Sequence, residues 1–203
     1  MSAPQITAFF DEPTFTVTYL VVDPTSLRAI IVDPVLDYEH RSGAVSTRSA
    51  QKILDAATAQ SASIDYILET HVHADHLSAA PFLKERTGAR VVIGSAVDQV
   101  QRTFGPVFHA ADLSLDGTEF DLLVADGDAL KFGDQEITVI HVPGHTPACV
   151  AYQIGANVCV GDTLFCGAMC DYNDECGISG WGCFAADPII GGGAADFFGR
   201  DGL

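Results

Sequence analysis

The chain has 203 residues, of which 48% are hydrophobic and 18% charged, and its mean hydropathy is +0.23. This composition excludes a disordered chain and suffices for one domain with a sizeable core. The net charge is −17, so the surface repels phosphate, and neither nucleic acid nor an anionic membrane is an expected partner. No apolar stretch approaches the ~18 residues of a membrane span, and the N-terminus lacks the pattern of a signal peptide, so we expect a cytoplasmic protein.

The first half of the sequence predicts strands that alternate with helices. Residues 14–22 alternate between polar and apolar, and residues 28–32 form a second apolar run; each is followed by an Asp-Pro pair, which is typical of a turn. After a polar loop, apolar residues at helical spacing predict a helix over residues 47–60 with one buried face. The remaining elements predicted in this half are strands over residues 64–68 and 90–93 and helices over residues 77–86 and 96–102.

The second half predicts a run of strands and then loses regular patterning. The strands are predicted over residues 120–124, 129–132, 136–142, 149–154 and 158–160. Alternating strands and helices followed by a meander favour a layered α/β sandwich over a doubly wound parallel sheet. Residues 166–203 contain 9 of the 19 glycines and show neither helical nor strand periodicity. We therefore expect one domain over residues 1–165 and a Gly/Cys-rich, poorly ordered tail over residues 166–203.

The cysteines also distinguish the two halves of the chain. All six lie after residue 148, which is not the spread expected of a disulfide scaffold in a short secreted protein. We expect free thiols, with Cys149 as a small packing residue. A zinc knuckle that includes Cys166 and Cys170 is the alternative.

The strongest candidate site is the segment from residue 71 to residue 76, directly after a predicted strand. It contains His71, His73, Asp75 and His76, and so places four metal-capable side chains within six residues. Imidazole nitrogens and a carboxylate are ligands that Fe(II), Zn(II) and Mn(II) accept. Three of the seven histidines in six positions is improbable by chance, so the segment predicts a metal site rather than an ordinary surface loop.

Two further polar turns follow predicted strands. His145 lies in a Pro-Gly-His-Thr-Pro turn after the strand over residues 136–142, and Asp162 follows the strand over residues 158–160. Each turn alone is unremarkable in sequence, but a layered sandwich gathers strand ends at one rim. We therefore expect both to converge with the histidine-rich segment in one metal site. Asp33 is either a structural carboxylate beneath that segment or part of a plain Asp-Pro turn.

In this order, the motifs resemble the metallo-β-lactamase superfamily. The resemblance rests on Asp33 after an apolar strand, the H-x-H-x-D-H segment, the P-G-H-T-P turn and the G-D-T at Asp162, and it covers roughly residues 6–165. It implies a four-layer αββα sandwich, here with an incomplete C-terminal half. Residues 69–78, 33–38 and 144–149 look like the persulfide dioxygenase branch of that superfamily.

Resemblance to this branch implies one non-haem Fe(II) per chain rather than two zinc ions. The implied ligands are His71, His145 and Asp162, which leave positions open for a persulfide sulfur and O2. The implied reaction oxidises a thiol persulfide of the glutathione type to sulfite and free thiol. His73 is a further candidate metal ligand. Asp75 and His76 are candidate catalytic residues, and in the same resemblance they orient the ligands or form a vacant second site.

The sequence leaves two alternatives open. Family members continue after the G-D-T motif with a segment that carries Arg and Asp for the sulfur substrate, and then a late histidine, whereas no histidine follows His145 here. A two-metal hydrolase would lack its last ligand, while the iron triad is complete. The alternatives are a Zn(II)-dependent hydrolase of thioesters, lactones or β-lactams, and an inactive metal-binding remnant. The expected partners are a small-molecule persulfide and O2, with a homodimer left open.

Overall fold

The computed structural model describes residues 2–110 and 112–163, together with the backbone of Cys183–Phe184. The helices are α1 (Arg48–Ala59), α2 (Ala80–Thr87) and α3 (Val97–Phe104). The strands are β1 (Gln5–Asp11), β2 (Thr16–Val22), β3 (Arg28–Val32), β4 (Val35–Glu39), β5 (Ala44–Ser46), β6 (Ser63–Leu68), β7 (Leu77–Ser78), β8 (Arg90–Gly94), β9 (Leu122–Val124), β10 (Ala129–Phe132), β11 (Gln135–His141), β12 (Val150–Ile154), β13 (Asn157–Cys159) and β14 (Cys183–Phe184). Within these ranges no helix is long and apolar enough to cross a membrane.

Two large sheets carry the fold. The first has the order β1-β2-β3-β6-β8-β9; its first three strands are antiparallel, whereas β3, β6, β8 and β9 are parallel. The second is an antiparallel meander in the order β10-β11-β12-β13-β14. A small third sheet has the order β5-β4-β7. The α/β sandwich predicted from the sequence is confirmed.

The main core lies between the two large sheets. Along β2, Tyr19 and Val21 point into this core, whereas Leu20 and Val22 point to the opposite face of the sheet. Successive side chains of a strand alternate between faces, so the half of β2 that is buried in apolar clusters on both faces, residues 19–22, is apolar throughout. From the second sheet the same core receives the buried side chains of Phe132, Ile137, Val139, Val150, Tyr152, Ile154 and Cys159.

The outer face of the first sheet is covered by α1 and α2. Ile53 on α1 is 1% exposed and belongs to the same cluster as Ile31 and Ile67 of the sheet. The first turn of α1 is capped from outside the helix, because Asp37 on β4 accepts hydrogen bonds from the backbone N–H (2.9 Å) and the hydroxyl (2.7 Å) of Ser49. A carboxylate at a helix N-terminus satisfies free N–H groups and favours the helix dipole.

The outer face of the second sheet carries a separate apolar cluster of Val142, Cys149, Ala151, Val158 and Val160. The described ranges therefore provide a helical layer and two sheet layers of the expected four-layer αββα arrangement. The tail predicted to be poorly ordered, residues 166–203, lies outside the described residues, apart from the backbone of Cys183–Phe184, which pairs with β13. Cys149 is buried with a free thiol, as expected, and Cys159 is buried in the main core.

The local predictions differ from the structure near the third sheet. The polar loop expected after Asp33 contains β4 and β5, and the helix expected over residues 77–86 begins at Ala80 because β7 precedes it. These short strands are stabilised by distant partners: Val35 pairs with Ser78 across more than 40 residues. Local periodicity contains no signal for such pairing, because a strand of two or three residues has no measurable period.

Candidate metal centre

The candidate metal centre lies at the edge of the sandwich where four strands end. β3 and β6 are parallel, so Asp33 and the metal loop (residues 69–76) follow their C-terminal ends on the same side. β11 and β13 are both antiparallel to β12, so His145 and Asp162 also follow their C-terminal ends together. The two sheets are joined here by a hydrogen bond of 2.9 Å from the Val150 N–H to the Thr70 carbonyl.

His71, His145 and Asp162 form the first cluster of potential ligands. The Oδ2 atom of Asp162 lies 3.5 Å from His71 Nε2 and 3.4 Å from His145 Nε2. Ligand atoms bound at about 2.1 Å to one metal are separated by roughly 3.0–3.4 Å at right or tetrahedral angles. The three side chains are therefore placed as ligands of a common ion.

Three buried histidine nitrogens have no hydrogen-bond partner, and they show whether the residues of the site fit a metal ion. These buried atoms, which neither donate nor accept a hydrogen bond, are His71 Nε2, His73 Nδ1 and His76 Nε2. Buried polar atoms are nearly always paired, and an orphaned nitrogen needs an explanation. A metal ion held with His145 and Asp162 would supply the missing partner of His71 Nε2, so that cluster fits a bound metal; His73 Nδ1 and His76 Nε2 belong to a separate, adjoining group.

His73 faces two buried carboxylates. Its Nε2 atom lies 3.2 Å from Asp33 Oδ1 and 3.1 Å from Glu69 Oε2. Burial opposes a charge on this ring, but the two carboxylates outweigh it and raise the pKa of His73 well above its ordinary value. Burial would likewise raise the pKa of Asp33, but His73 holds it below the ordinary value. Glu69 is held in turn by the Ser78 hydroxyl, which donates to its Oε1.

Asp75 and His76 form a second pair beside this cluster. His76 Nδ1 lies 3.3 Å from Asp75 Oδ2 and 3.4 Å from the Thr16 hydroxyl. Partial burial would raise the pKa of the Asp75 carboxyl, but the hydrogen bond from His76 lowers it. Ligand atoms of His73, Asp75 and His76 lie within 4.8 Å of one another, so this group could hold a second ion.

Asp33 contacts His73 directly and His71 through Thr70. Its carboxylate accepts hydrogen bonds from the Thr70 N–H (2.7 Å) and the Thr70 hydroxyl (2.8 Å) in addition to His73. Its φ of +47° lies in the left-handed region, which Asp adopts more readily than most residues with a side chain. The contacts agree with the structural carboxylate expected beneath the metal loop rather than with a plain Asp-Pro turn.

Close packing also constrains the turn before Asp162. Gly161 has a φ of +51°, and a Cβ atom there would lie 2.2 Å from the Thr70 hydroxyl oxygen. Only glycine fits this position without displacing Thr70. The turn that carries Asp162 is therefore fixed against the metal loop.

The structure brings together the residues singled out from the sequence. His71, His145 and Asp162 share one cluster, and His73, Asp75 and His76 share the adjoining one. The sequence motifs included Glu69 and Thr70 but assigned them no role. The sequence contains no signal for the Glu69–His73 contact, because a spacing of four residues brings side chains together on a helix and residues 69–76 form a loop. For Thr70, the position directly before His71 is the one available signal.

Comparison with known proteins identifies the class of protein that this fold and site define. The model of the metallo-β-lactamase superfamily matches residues 11–198. The chain belongs to this superfamily, whose members are metal-dependent enzymes, and the family predicted from the motifs is confirmed.

The individual relatives are described as enzymes of two kinds. The chain is 44% identical over 178 residues to a probable metallo-hydrolase of Burkholderia pseudomallei (strain 1710b), with 82% of this chain and 60% of that protein covered. It is 29% identical over 172 residues to the mitochondrial persulfide dioxygenase ETHE1 of Mus musculus, with 82% and 56% covered. The crystal structure of ETHE1 from Myxococcus xanthus matches with a TM-score of 0.61 at 28% identity, covering 80% of this chain and 59% of that one. The chain thus spans little more than half the length of these proteins.

Proposed function

We propose that this chain is a non-haem Fe(II) dioxygenase of thiol persulfides. The observation that carries the proposal is the convergence of His71 and His145 on the carboxylate of Asp162, at 3.5 and 3.4 Å. Two histidines and one carboxylate with open positions are the ligand set of non-haem Fe(II) oxygenases. The similarity to the ETHE1 proteins of mouse and Myxococcus xanthus supports the same choice.

The proposed reaction balances with water as a reactant. A persulfide R–S–SH, of the glutathione type, reacts with O2 and H2O to give R–SH and H2SO3. The S–S bond breaks, the terminal sulfur is oxidised and gains three oxygen atoms, and O2 is reduced. His71, His145 and Asp162 would hold Fe(II), which would supply the redox chemistry that activates O2 towards the persulfide sulfur.

The protein's own residues hold the ligands and move protons. Asp75, as a carboxylate, accepts the Nδ1–H of His76 (3.3 Å), which leaves the lone pair of His76 on Nε2. That nitrogen is buried and unpaired, so it can accept the persulfide proton. His73 is oriented by Asp33 and Glu69, so its ring is fixed between the two clusters.

A Zn(II)-dependent hydrolase is the second candidate function. The observation that favours it is the adjoining group of His73, Asp75 and His76, which could hold another ion. The 44% identity to a probable metallo-hydrolase points the same way. In such a site, zinc would lower the pKa of water for attack on a thioester, lactone or β-lactam carbonyl.

Metal content and oxygen uptake distinguish these functions. Protein purified without added metal is analysed by elemental mass spectrometry, then loaded anaerobically with Fe(II) and assayed for persulfide-dependent O2 uptake and sulfite formation. We expect about one iron per chain and turnover in the wild type, and loss of both in His145→Ala and Asp162→Ala. The control is His40→Gln, because His40 is 79% exposed and lies 3.8 Å from Glu39, away from the site.

Two other outcomes would contradict the proposed dioxygenase function. Two zinc ions with thioester, lactone or β-lactam hydrolysis and no O2 uptake would establish the hydrolase. Metal binding without either activity would identify an inactive metal-binding remnant. The cytoplasmic location and the homodimer stay predictions.

A further inference from the structure

We propose that Thr70 is a positioning residue that determines which ring nitrogen of His71 faces the metal. The inference rests on the proposed role of His71 as a metal ligand, and it holds for iron and zinc alike. It concerns the hydroxyl of Thr70, which touches neither the metal position nor the substrate.

The chemistry of Thr70 and Asp33 fixes the direction of the hydrogen bond between their side chains. A threonine hydroxyl has one proton to donate, whereas an ionised carboxylate only accepts. Asp33 Oδ1 already accepts the Thr70 N–H (2.7 Å) and faces His73 Nε2 (3.2 Å). Its Oδ2 lies 2.8 Å from the Thr70 hydroxyl, which therefore donates its proton to this oxygen.

The single proton of the Thr70 hydroxyl then determines the tautomer of His71. Because the Thr70 hydroxyl donates to Asp33, its oxygen can only accept from His71 Nδ1, which lies 3.0 Å away. His71 then carries its proton on Nδ1. In the neutral ring the lone pair is on Nε2, the buried nitrogen that has no hydrogen-bond partner and lies 3.5 Å from Asp162 Oδ2. The hydroxyl thus prepares the nitrogen that points to the metal position.

Packing around Thr70 keeps this arrangement in place. Thr70 is 1% exposed, and its carbonyl accepts the Val150 N–H at 2.9 Å. The absent side chain of Gly161 leaves room for the hydroxyl, since a Cβ there would approach its oxygen to 2.2 Å. The hydroxyl oxygen is therefore held between Asp33 and His71 by tightly packed neighbours.

His73 provides an internal comparison. Its Nε2 faces the carboxylates of Asp33 and Glu69, and its Nδ1 is the unpaired nitrogen. The two histidines thus present opposite nitrogens, Nε2 from His71 and Nδ1 from His73. In each ring the hydrogen-bonded nitrogen is the one on the side of Asp33, so this carboxylate fixes one ring directly and the other through Thr70.

The test compares three substitutions. Thr70→Val is nearly isosteric but removes the hydroxyl, and Thr70→Ser is the matched control that keeps it. Asp33→Asn is the third variant. Its amide oxygen must stay where it accepts the Thr70 N–H, so its NH2 group faces the Thr70 hydroxyl. The hydroxyl then donates to His71 Nδ1 instead, and the tautomer reverses.

Two readouts are independent of turnover. The first is the tautomer of His71 in the metal-free protein, read from imidazole ¹⁵N NMR at about pH 8, where an ordinary imidazole is neutral. The second is Zn(II) or Co(II) affinity by competition titration. We expect the Nδ1–H form in wild type and Thr70→Ser, its loss in Thr70→Val with affinity lower by about 10–100-fold, and the Nε2–H form in Asp33→Asn.

Three results would overturn the inference. These are an Nε2–H tautomer in the wild type, an unchanged affinity in Thr70→Val, or equal losses in Thr70→Ser and Thr70→Val, which would indicate packing alone. Urea unfolding of each variant identifies any that does not fold, and the remaining variants still decide. If the wild type bound metal but lacked persulfide turnover, the proposed function would fail while this inference still stood.

Discussion

Replacement of Asp23 by Asn should destabilise the fold in a way that depends on pH. Asp23 is fully buried at the turn between β2 and β3. Its Oδ2 accepts the Ser26 hydroxyl (2.5 Å) and the Asp134 N–H (2.8 Å), and its Oδ1 accepts the Thr25 N–H (3.1 Å). The carboxylate therefore connects a turn of the first sheet to the β10–β11 turn of the second, far from the metal loop in sequence.

These hydrogen bonds determine how much free energy of unfolding Asp23 contributes. The hydrogen bond from Ser26, helped by those from the backbone of Asp134 and Thr25, lowers the pKa of Asp23 from 3.8 to about 2. A shift of this size corresponds to about 2 kcal/mol of stability. In Asp23→Asn one of the two carboxylate oxygens becomes an NH2 donor, which faces the backbone N–H of Thr25 or of Asp134 in either orientation of the amide. Two donors then oppose each other, and a comparable free energy is lost.

The sign of the pH dependence follows from the lowered pKa. Above about pH 4 the carboxylate is ionised in both folded and unfolded chains, and its full contribution is present. As the pH falls towards 2, the unfolded chain binds a proton before the folded chain does, so the contribution is lost. The difference between wild type and Asp23→Asn should therefore be about 2 kcal/mol at about pH 7 and about half of that at about pH 3.

Urea unfolding of the metal-free proteins, followed by circular dichroism across this pH range, measures the difference. Asp134→Asn is the matched control, because it removes one negative charge at the same turn and retains the backbone N–H that Asp23 accepts. We expect the control to show little change. Equal stability of Asp23→Asn and wild type, or a difference that is constant down to about pH 3, would refute the reasoning.

Three further substitutions test the packing described above. Gly161→Ala should lower the stability of the fold by about 1–2 kcal/mol or more, because a left-handed φ and the Thr70 hydroxyl exclude a methyl group. It should also lower the metal affinity, and an unchanged zinc titration would contradict this. Tyr152→Phe should cost about 1 kcal/mol in urea unfolding, because the buried hydroxyl donates to the Glu69 carbonyl at 2.9 Å. Ile53→Ala should cost about 2–5 kcal/mol but leave metal content unchanged; loss of metal from folded protein would disagree.

The longer helices and strands could be predicted from the sequence because the spacing of their apolar residues shows which face is buried. The helix predicted over residues 47–60 is α1 at Arg48–Ala59, and its buried residues are Ala50, Ile53 and Ala57. By contrast, β4, β5 and β7 depend on partners distant in the chain, and the N-terminal cap of α1 comes from Asp37, eleven residues before that helix begins. No local period encodes such a contact, since it arises only after the chain has folded.

The same distinction applies to the site. Histidines and aspartates cluster in sequence, so a metal site could be predicted from the motifs alone. Which nitrogen each ring presents could not, because it depends on hydrogen bonds between β3, the metal loop and the second sheet. Asp33 precedes His73 by forty residues, yet their side chains are 3.2 Å apart.

Because the candidate ligands come from both sheets, metal binding should be coupled to assembly of the sandwich. His71 follows β6 of the first sheet, whereas His145 and Asp162 follow β11 and β13 of the second. An ion bound by all three stabilises the docked sheets and has no such site in the unfolded chain. At a free metal concentration about 100 times Kd, the gain is about 2.7 kcal/mol, comparable to the contribution expected of Asp23. A change in metal affinity at this edge therefore also changes the stability of the whole sandwich. For this reason the His71 tautomer and the metal affinity should be measured separately from unfolding in every variant of the site.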